Sequence, residues 1–560
     1  MPELLFNAEH FPKLTPQDVF LFTTNPIEAK LEECASSQER EKLSHLRSTS
    51  YEAEGQSLQW FQGNGQWNEK LQELARDART KYRKWIRTLE GRYPNVKPPS
   101  SRKSVDLHSI DGSANLPFVL SNMDKVTGVR SGRSATRAGG WAAWPQSKPP
   151  MKTEHYIKDT KKLDARYLEP VHLTPASTIG EARRYFAKRG MDTAVISDAN
   201  GKLLTLMKRE LVPDAADEDA EIASFLRGKN GRVVTLRYGK EPGDAIDLMK
   251  REHRHFLPIV DGQKKTRGVI TRESAEMYYR FPPNVDQEGR LKTLVAVSAF
   301  RKNVYKRVKE LIAWGVDGIV LDSPHLDQGT DYEDIIRNVR KMIDESGRKI
   351  LLVAGNVIDP DAAKNAIAAG AHCVKVGIGP GAVCTTRDET GVGEPQWSAV
   401  YDCAKAARSL GGFVWADGGV RLPGDAAKLL AAGASQVMIG TIAAGTYDSP
   451  GPILQHGNER YVEHYGMGSD LAFGLREDVD EDDVEEMLYI GRPSEGLRSA
   501  KVMVYPDMDT IFKQFRRFAY GAKSMGTFLG AWTLEQAIRF ARFGVQTTSG
   551  YQEGKGKPVV

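Results

Sequence analysis

The sequence predicts a parallel (β/α)8 barrel, a TIM barrel, interrupted by an inserted module that is itself duplicated. Three observations carry this. Short β-branched runs follow glycines in GVDGIVLD, AAGAHCVKVG and AAGASQVMIG, the pattern of a helix that ends on a C-cap glycine and turns into a buried parallel strand. Six such runs lie in the second half and two upstream, which makes the eight of a closed barrel. The roughly 145 residues between the two groups break the rhythm and carry their own repeat. An open doubly wound sheet is the competing reading, since alternation alone does not show closure.

The first 150 residues hold the start of the barrel. LPFVLSNM (Leu116 to Met123) and GWAAWPQ (Gly140 to Gln146) are its first two strands. Ahead of them, about Lys30 to Pro94 is polar and helical in period, as in NEKLQELARDARTKYRKWIRTLEG, and reads as a helical surface insertion. Residues 151–285 form the interrupting module, with halves at about 168–226 and 230–282. Within it Ile179 to Leu211 and Pro242 to Ser274 superpose at a spacing of 63 residues, each reading helix, strand, turn, strand, helix. From 286 to 560 the barrel resumes. Its strands are Leu294 to Phe300, Gly318 to Pro324, Ile350 to Val357, Cys373 to Gly379, Phe413 to Gly419 and Gln436 to Thr441, followed by a flap and a C-terminal segment.

Composition narrows the function. At 560 residues, 40% hydrophobic and 27% charged, the chain has the make-up of an ordinary soluble protein. A net charge of +5 is too weak a field on so large a molecule to argue for nucleic acid. No apolar run reaches the roughly 18 residues of a membrane span, and the start, MPELLFNAEHFPKL, lacks a secretory pattern. A cytoplasmic protein with no membrane partner is expected. The four cysteines, Cys34, Cys373, Cys384 and Cys403, show neither CxxC nor zinc-type spacing, so cysteine chemistry should come from a single thiol.

In a parallel barrel the reacting groups gather where strands end at the C-terminal face. The polar residues there are Ser121, Asn122 and Asp124, then Asp322 and Ser323, Asn356, the GIGPG loop, Asp417, and Gly440 with Thr441. Each alone reads as a turn or a helix N-cap; together they read as a site. The glycine clusters GIGPG, DGG and MIGT offer backbone N–H groups to an anion without Cβ obstruction. Cys384, just past a glycine turn, is the candidate nucleophile, whereas Cys373 and Cys403 sit in strand and helix patterns as core thiols. Thr385 and Thr386 place hydroxyls beside it.

GIGPGAVCTTR, TGVGEPQ, SNMD, VAGNV, ADGGV, MIGT and YGMGS together resemble the IMP dehydrogenase and GMP reductase family, and the inserted duplication resembles a pair of CBS modules. The likeness runs from Asp106 to Glu553. It implies a purine nucleotide oxidoreductase in which Cys384 forms a covalent thioimidate at C2 of the base, with Thr386 and Glu495 moving protons. It further implies that Asp417 binds the ribose, that Gly381, Ala382, Gly418, Gly419, Gly440 and Thr441 surround the phosphate, and that Ser121, Met123 and Asn356 contribute from their strand ends. Tyr465, Gly466, Met467 and Gly468 would complete the nucleotide pocket. Asp322, Ser323, Gly377, Ile378 and Gly379 would face the nicotinamide, and the carbonyls of Gly379, Gly381 and Cys384 could hold a monovalent cation such as K+. An ATP or GTP effector at the CBS pair and a homotetramer or octamer are implied as well.

Within the family three outcomes stay open: a reductase using NADPH on GMP, a dehydrogenase using NAD on IMP, and a sensor that binds nucleotide without turnover. The interval DLAFGLREDVDEDDVEEMLYIGRP lacks the Arg-Tyr pair with which the dehydrogenases activate water, and SNMD replaces their PMD. Both favour the reductase, as does a resemblance to the CBS-containing reductases of actinobacterial type in WPQ, VWADGGVR and SGYQEGK. For a dehydrogenase, Arg476 would have to activate water. Several positions depart from the family pattern: Ala382 replaces a serine, Trp144, Pro145 and Gln146 replace a His-Lys pair, and Ser274 stands where a CBS aspartate holds a ribose.

Overall fold

Eight of the apolar runs fold into parallel strands that close on themselves. The computed structural model describes residues 19–22, 80, 101–170, 172–189, 192–212, 217–226, 232–328, 331–476 and 494–554. The expected helical insertion at 30–94, except Thr80, and the flap residues 477–493 lie outside these. The chain divides into two units, one of residues 1–12, 17–107 and 520–560, the other of 13–16 and 108–519. In the first, Val19–Phe22 pairs antiparallel with Arg542–Val545, and Thr533 caps the helix Leu534–Phe540 by accepting from Gln536 N.

The second unit contains the barrel. Its strands are β1 (Phe118–Leu120), β2 (Trp141–Trp144), β3 (Leu294–Ser298), β4 (Gly318–Asp322), β5 (Leu351–Val357), β6 (Cys373–Val376), β7 (Phe413–Asp417) and β8 (Gln436–Ile439). Each pairs in parallel with the next, and β8 with β1 closes the ring, so the open-sheet alternative does not apply. Helices such as Val304–Trp314 alternate with the strands; this one ends on Gly315 at φ +92°, as the glycine-before-strand pattern predicts. Alternate strand residues fill the interior, among them Val119, Trp141, Ala296, Val320, Val353, Cys373, Trp415 and Met438.

A polar plug seals the N-terminal end. Asp111 accepts from Trp415 Nε1 at 2.9 Å and from Ser109 Oγ at 2.7 Å, while Ser113 Oγ accepts from Gln436 Nε2 at 2.7 Å. The opposite mouth is therefore the one that presents chemistry.

Two similar three-stranded layers lie between β2 and β3. In the first, His172–Leu173 runs parallel to Thr193–Ser197, which pairs antiparallel with Leu203–Lys208. In the second, Leu236–Arg237, Phe256–Val260 and Thr266–Thr271 repeat the arrangement. The two-residue leading strands escaped the sequence because two residues carry no periodicity. The copies also end differently. Thr271 accepts from Ser274 N at 3.1 Å and starts the helix Arg272–Arg280, whereas Lys208, the corresponding residue of the first copy, makes no side-chain cap bond, and among the described residues that directly follow it there is a 3-10 turn, Arg209–Leu211. Ion pairs root this module in the barrel: Lys161 Nζ lies 2.8 Å from Asp286 and 2.6 Å from Asp317, and Glu169 meets Arg133 and Arg137.

Candidate active site

Strand alternation sets the floor of the mouth. Cys373 and Lys375 share the inner face of β6, so a core thiol is followed two residues later by an ammonium at the C-terminal end. Lys375 is 3% exposed. Its Nζ lies 2.8 Å from Asp322 Oδ1 at the end of β4 and 2.9 Å from Asp417 Oδ2 at the end of β7. Burial alone would lower its pKa, but the two carboxylates overcome this and hold it above the ordinary lysine value.

The ring continues on both sides. Asn122 Nδ2 donates to Asp322 Oδ2 at 2.9 Å and Gln146 Nε2 to the same oxygen at 3.2 Å. Asn356 Nδ2 donates to Asp417 Oδ2 at 3.1 Å and to Gly377 O at 2.6 Å. Residues from six strand ends thus form one network with two carboxylates and one cation. Gln146 Oε1 and Asn356 Oδ1 are buried without a hydrogen-bond partner among the described residues. Ser323 stands aside, its hydroxyl donating to His325 O at 3.1 Å.

The cysteine loop leaves β6 through Gly377, whose φ of +140° and close approach to Asp417 O and the Gln396 side chain leave no room for a Cβ. Buried Gln396 donates to Val376 O at 2.9 Å and Asp417 O at 3.1 Å, and Arg387 donates to Ile378 O at 3.4 Å and to Glu394 O. Gly381 O then accepts the Cys384 N–H at 3.1 Å. Beyond the turn, the loop is zipped to a segment far along the chain: Leu497 N donates to Val383 O at 2.9 Å and Thr385 N to Glu495 O at 3.1 Å. The YGMGS segment joins them, with Glu495 N donating to Gly468 O at 3.1 Å and Gly466 N to Leu497 O at 3.0 Å. Gly466 approaches so closely that an added Cβ would lie 2.6 Å from Val383 O and 2.8 Å from Gly496 Cα.

This zipper aligns three side chains. Cys384 Sγ lies 3.1 Å from Thr386 Oγ1, which donates to Glu495 Oε2 at 3.0 Å. Cys384 is partly exposed, whereas Cys373 and Cys403 are buried. A thiol, a hydroxyl and a carboxylate in series can pass a proton between a reacting sulfur and a carboxyl group. Thr385 takes no part, since its hydroxyl donates to Ser494 O at 3.2 Å.

The glycine turns gather on the other side of the mouth. Gly418 packs on Pro380, and Gly440 faces the side chains of Ser121 and Met123. Thr441 Oγ1 lies 3.3 Å from Nε2 of buried His464, whose pKa burial, reinforced by Lys125, pushes down to about 4. Burial and then Asp124 push Tyr465 up to about 12. Met467 Sδ accepts from Asp124 N at 3.5 Å. Ala382 is exposed and offers no hydroxyl. The residues singled out from the sequence therefore come together, Ser323 excepted in the direction of its hydroxyl. Lys375, Gln396 and Arg387 were missed; a lysine between Val374 and Val376 in a buried run was the readable signal for the first.

Comparison with known proteins yields a consistent set of similarities. A family model described as the IMP dehydrogenase / GMP reductase domain matches residues 92–557. A GMP reductase of Mycobacterium tuberculosis is 34% identical over 473 residues, which cover 83% of this chain and 95% of that protein. An inosine-5′-monophosphate dehydrogenase of Aquifex aeolicus is 31% identical, with 78% and 88% covered. Among solved structures, a cysteine-to-alanine variant of GMP reductase from Trypanosoma brucei in complex with guanosine 5′-monophosphate is similar at a TM-score of 0.56 and 26% identity, covering 82% of this chain and 95% of that one.

Proposed function

The chain belongs to the IMP dehydrogenase / GMP reductase family of oxidoreductases, and within it we propose that it is an NADPH-dependent GMP reductase, which converts GMP to IMP and ammonia. The observation that carries this reading is the series Cys384, Thr386, Glu495, with contacts of 3.1 and 3.0 Å, in a chain whose residues 470–493 contain no Arg-Tyr pair. The solved complex of a similar reductase with guanosine 5′-monophosphate supports the substrate class.

The residues divide the work. Asp417 accepts from the ribose hydroxyls through Oδ1, which has no partner among the described residues, while Lys375 and Asn356 fix Oδ2. Backbone donors of the Gly381–Ala382, Gly418–Gly419 and Gly440–Thr441 turns meet the phosphate, with Ser121, and Met123, Tyr465, Gly466, Met467 and Gly468 line the base. Cys384 passes its proton through Thr386 to Glu495 and attacks C2 of guanine as the thiolate; the C2–S bond forms, the C2–N2 bond breaks, and ammonia leaves with that proton, returned from Glu495 through Thr386. Covalent attachment divides one hard displacement into two easier steps. Reduction of the resulting thioimidate at C2 then breaks the C–S bond and returns Cys384 as thiolate, with IMP released.

The chain also fits the nicotinamide cofactor. Gln146 Oε1, buried without a partner beside Asp322, suits the N–H donors of a carboxamide. Asp322, Gly377, Ile378 and Gly379 would hold that end, with Ser323 shaping the turn. When bound, the cofactor supplies a hydride. A monovalent cation would be held by the carbonyls of Gly379, Gly381 and Cys384, of which that of Gly381 accepts from Cys384 N and keeps a second lone pair; no step passes through one. Residues 151–285 we read as a CBS pair that binds an adenine or guanine nucleotide, and the enzyme as a homotetramer or octamer.

Steady-state assay decides between the readings. NADPH oxidation dependent on GMP, with IMP and ammonia formed in equal amounts, is expected. NAD-dependent oxidation of IMP without any GMP-dependent NADPH oxidation overturns the reductase, and tight nucleotide binding with neither turnover identifies a sensor.

A further inference from the structure

We infer that Lys125 is a specificity-determining residue that contacts the 5′-phosphate of the bound nucleotide and supplies the positive charge the rest of that pocket lacks; this rests on the reading of the site as a purine nucleotide site. The turns assigned to the phosphate, at Gly381–Ala382, Gly418–Gly419 and Gly440–Thr441, and the side chain of Ser121, are all neutral donors. A phosphate monoester carries about −1.5 to −2 charges at pH 7. The nearest strongly held cation of the mouth, Lys375, is already committed to Asp322 and Asp417. Left there, the pocket would bring a dianion up to a floor with a net negative charge.

Lys125 sits where that deficit is. It follows Ser121 on the loop leaving β1, and its Nζ lies 5.5 Å from the centre of the Tyr465 ring. Its stem passes Gly451, where an added Cβ would lie 3.8 Å from Lys125 Cδ and 3.9 Å from Nζ. Its charge also lowers the pKa of His464, whose Nε2 is 3.3 Å from Thr441 Oγ1. Lys125 is therefore tied by geometry to Tyr465 and by its field to the His464–Thr441 pair, beside the Gly440 turn that faces Ser121.

Among the described residues Lys125, which is partly buried, makes no ion pair and no hydrogen bond. The neighbouring carboxylate is engaged elsewhere, Asp124 accepting from Ser147 Oγ at 2.5 Å and lying 3.5 Å from Lys148 Nζ. A cation over a tyrosine ring is stabilised but its charge is not neutralised. A partly buried ammonium over Tyr465, on the side of the mouth that holds His464 and Thr441, with no counter-ion among the described residues, is matched by a phosphate.

Binding of GMP and of guanosine is measured by calorimetry for the wild type, Lys125→Met and Lys125→Arg, alongside KM and kcat. K125M should lose tenfold or more in affinity for GMP, which is about 1.4 kcal/mol, with KM raised and kcat within threefold. Guanosine, which has no phosphate, should bind both proteins within twofold, and K125R should recover most of the loss, which separates a charge contact from damage to the fold. GMP affinity within twofold in K125M, or an equal loss for guanosine, overturns the assignment of Lys125 and leaves the nucleotide site standing. A wild type that binds neither GMP nor IMP overturns both.

Discussion

The Thr386 hydroxyl donates to Glu495 at 3.0 Å across 109 residues of chain. Its other neighbour, Cys384 Sγ, is 3.1 Å away. Backbone bonds on both sides hold the carboxylate in place, with Glu495 N donating to Gly468 O and Glu495 O accepting from Thr385 N. If this series moves protons, Thr386→Val and Glu495→Gln should each lower kcat by about 10²–10⁴-fold, the usual worth of a positioned acid or base. GMP KM should change by less than threefold, roughly, since neither group is fixed by binding alone. Thr386→Ser keeps the hydroxyl and should keep most of the rate. Steady-state kinetics of the four proteins checks this, and a T386V enzyme with unaltered kcat removes the relay.

Cys384→Ala separates chemistry from binding. The thiol is partly exposed and contributes no contact to the Asp322–Lys375–Asp417 network. Turnover should fall to background while GMP binding stays within about tenfold, or 1.4 kcal/mol. Persistent turnover in C384A excludes the covalent route.

Lys375 tests the electrostatics of the floor. Its ammonium separates two carboxylates at 2.8 and 2.9 Å, so Lys375→Met leaves two like charges facing each other without compensation. Breaking a buried pair in this way costs about 3–5 kcal/mol. The remaining carboxylates relieve the repulsion by binding a proton, so one acquires a folded-state pKa above its unfolded value. Stability from a raised pKa is present at low pH and is lost as pH rises through it. K375M should therefore melt closer to the wild type at pH 5 than at pH 8, while the wild-type lysine, with its own pKa raised, stays charged throughout. Thermal melts at the two pH values give the answer; a constant gap between the proteins would mean that the two carboxylates do not couple.

How much of this was legible beforehand depends on the kind of residue. The barrel could be read because each strand is a fully buried run set off by a C-cap glycine such as Gly315. The cysteine loop could be read because Gly377 and its neighbours leave a local signature. Lys375 was passed over because its role depends on Asp322 and Asp417, strand ends that come together only when the ring closes. Gln396, in a helix pattern, likewise gains its meaning from the carbonyls of Val376 and Asp417. In the inserted module the repeat was plain, but the two copies differ among the described residues at one cap position, Lys208 against Thr271, a difference that periodicity does not weigh.

His464 predicts the acid limb of stability. It is fully buried, its Nδ1 has no partner among the described residues, and burial together with Lys125 pushes its pKa from 6.5 to about 4. The folded state thus resists a proton that the unfolded chain takes up readily. For a depressed histidine the contribution is complete above the unfolded pKa near 6.5 and declines as pH falls toward 4, because in that window the unfolded chain binds more protons. At pH 5 the loss amounts to about 2 kcal/mol at 1.36 kcal/mol per pKa unit. His464→Gln keeps a hydrogen-bonding group near Thr441 but cannot titrate. Between pH 7.5 and pH 5 the melting temperature of the wild type should therefore fall a few degrees further than that of H464Q. Equal falls would show that His464 takes up its proton in the folded protein as easily as in the unfolded chain.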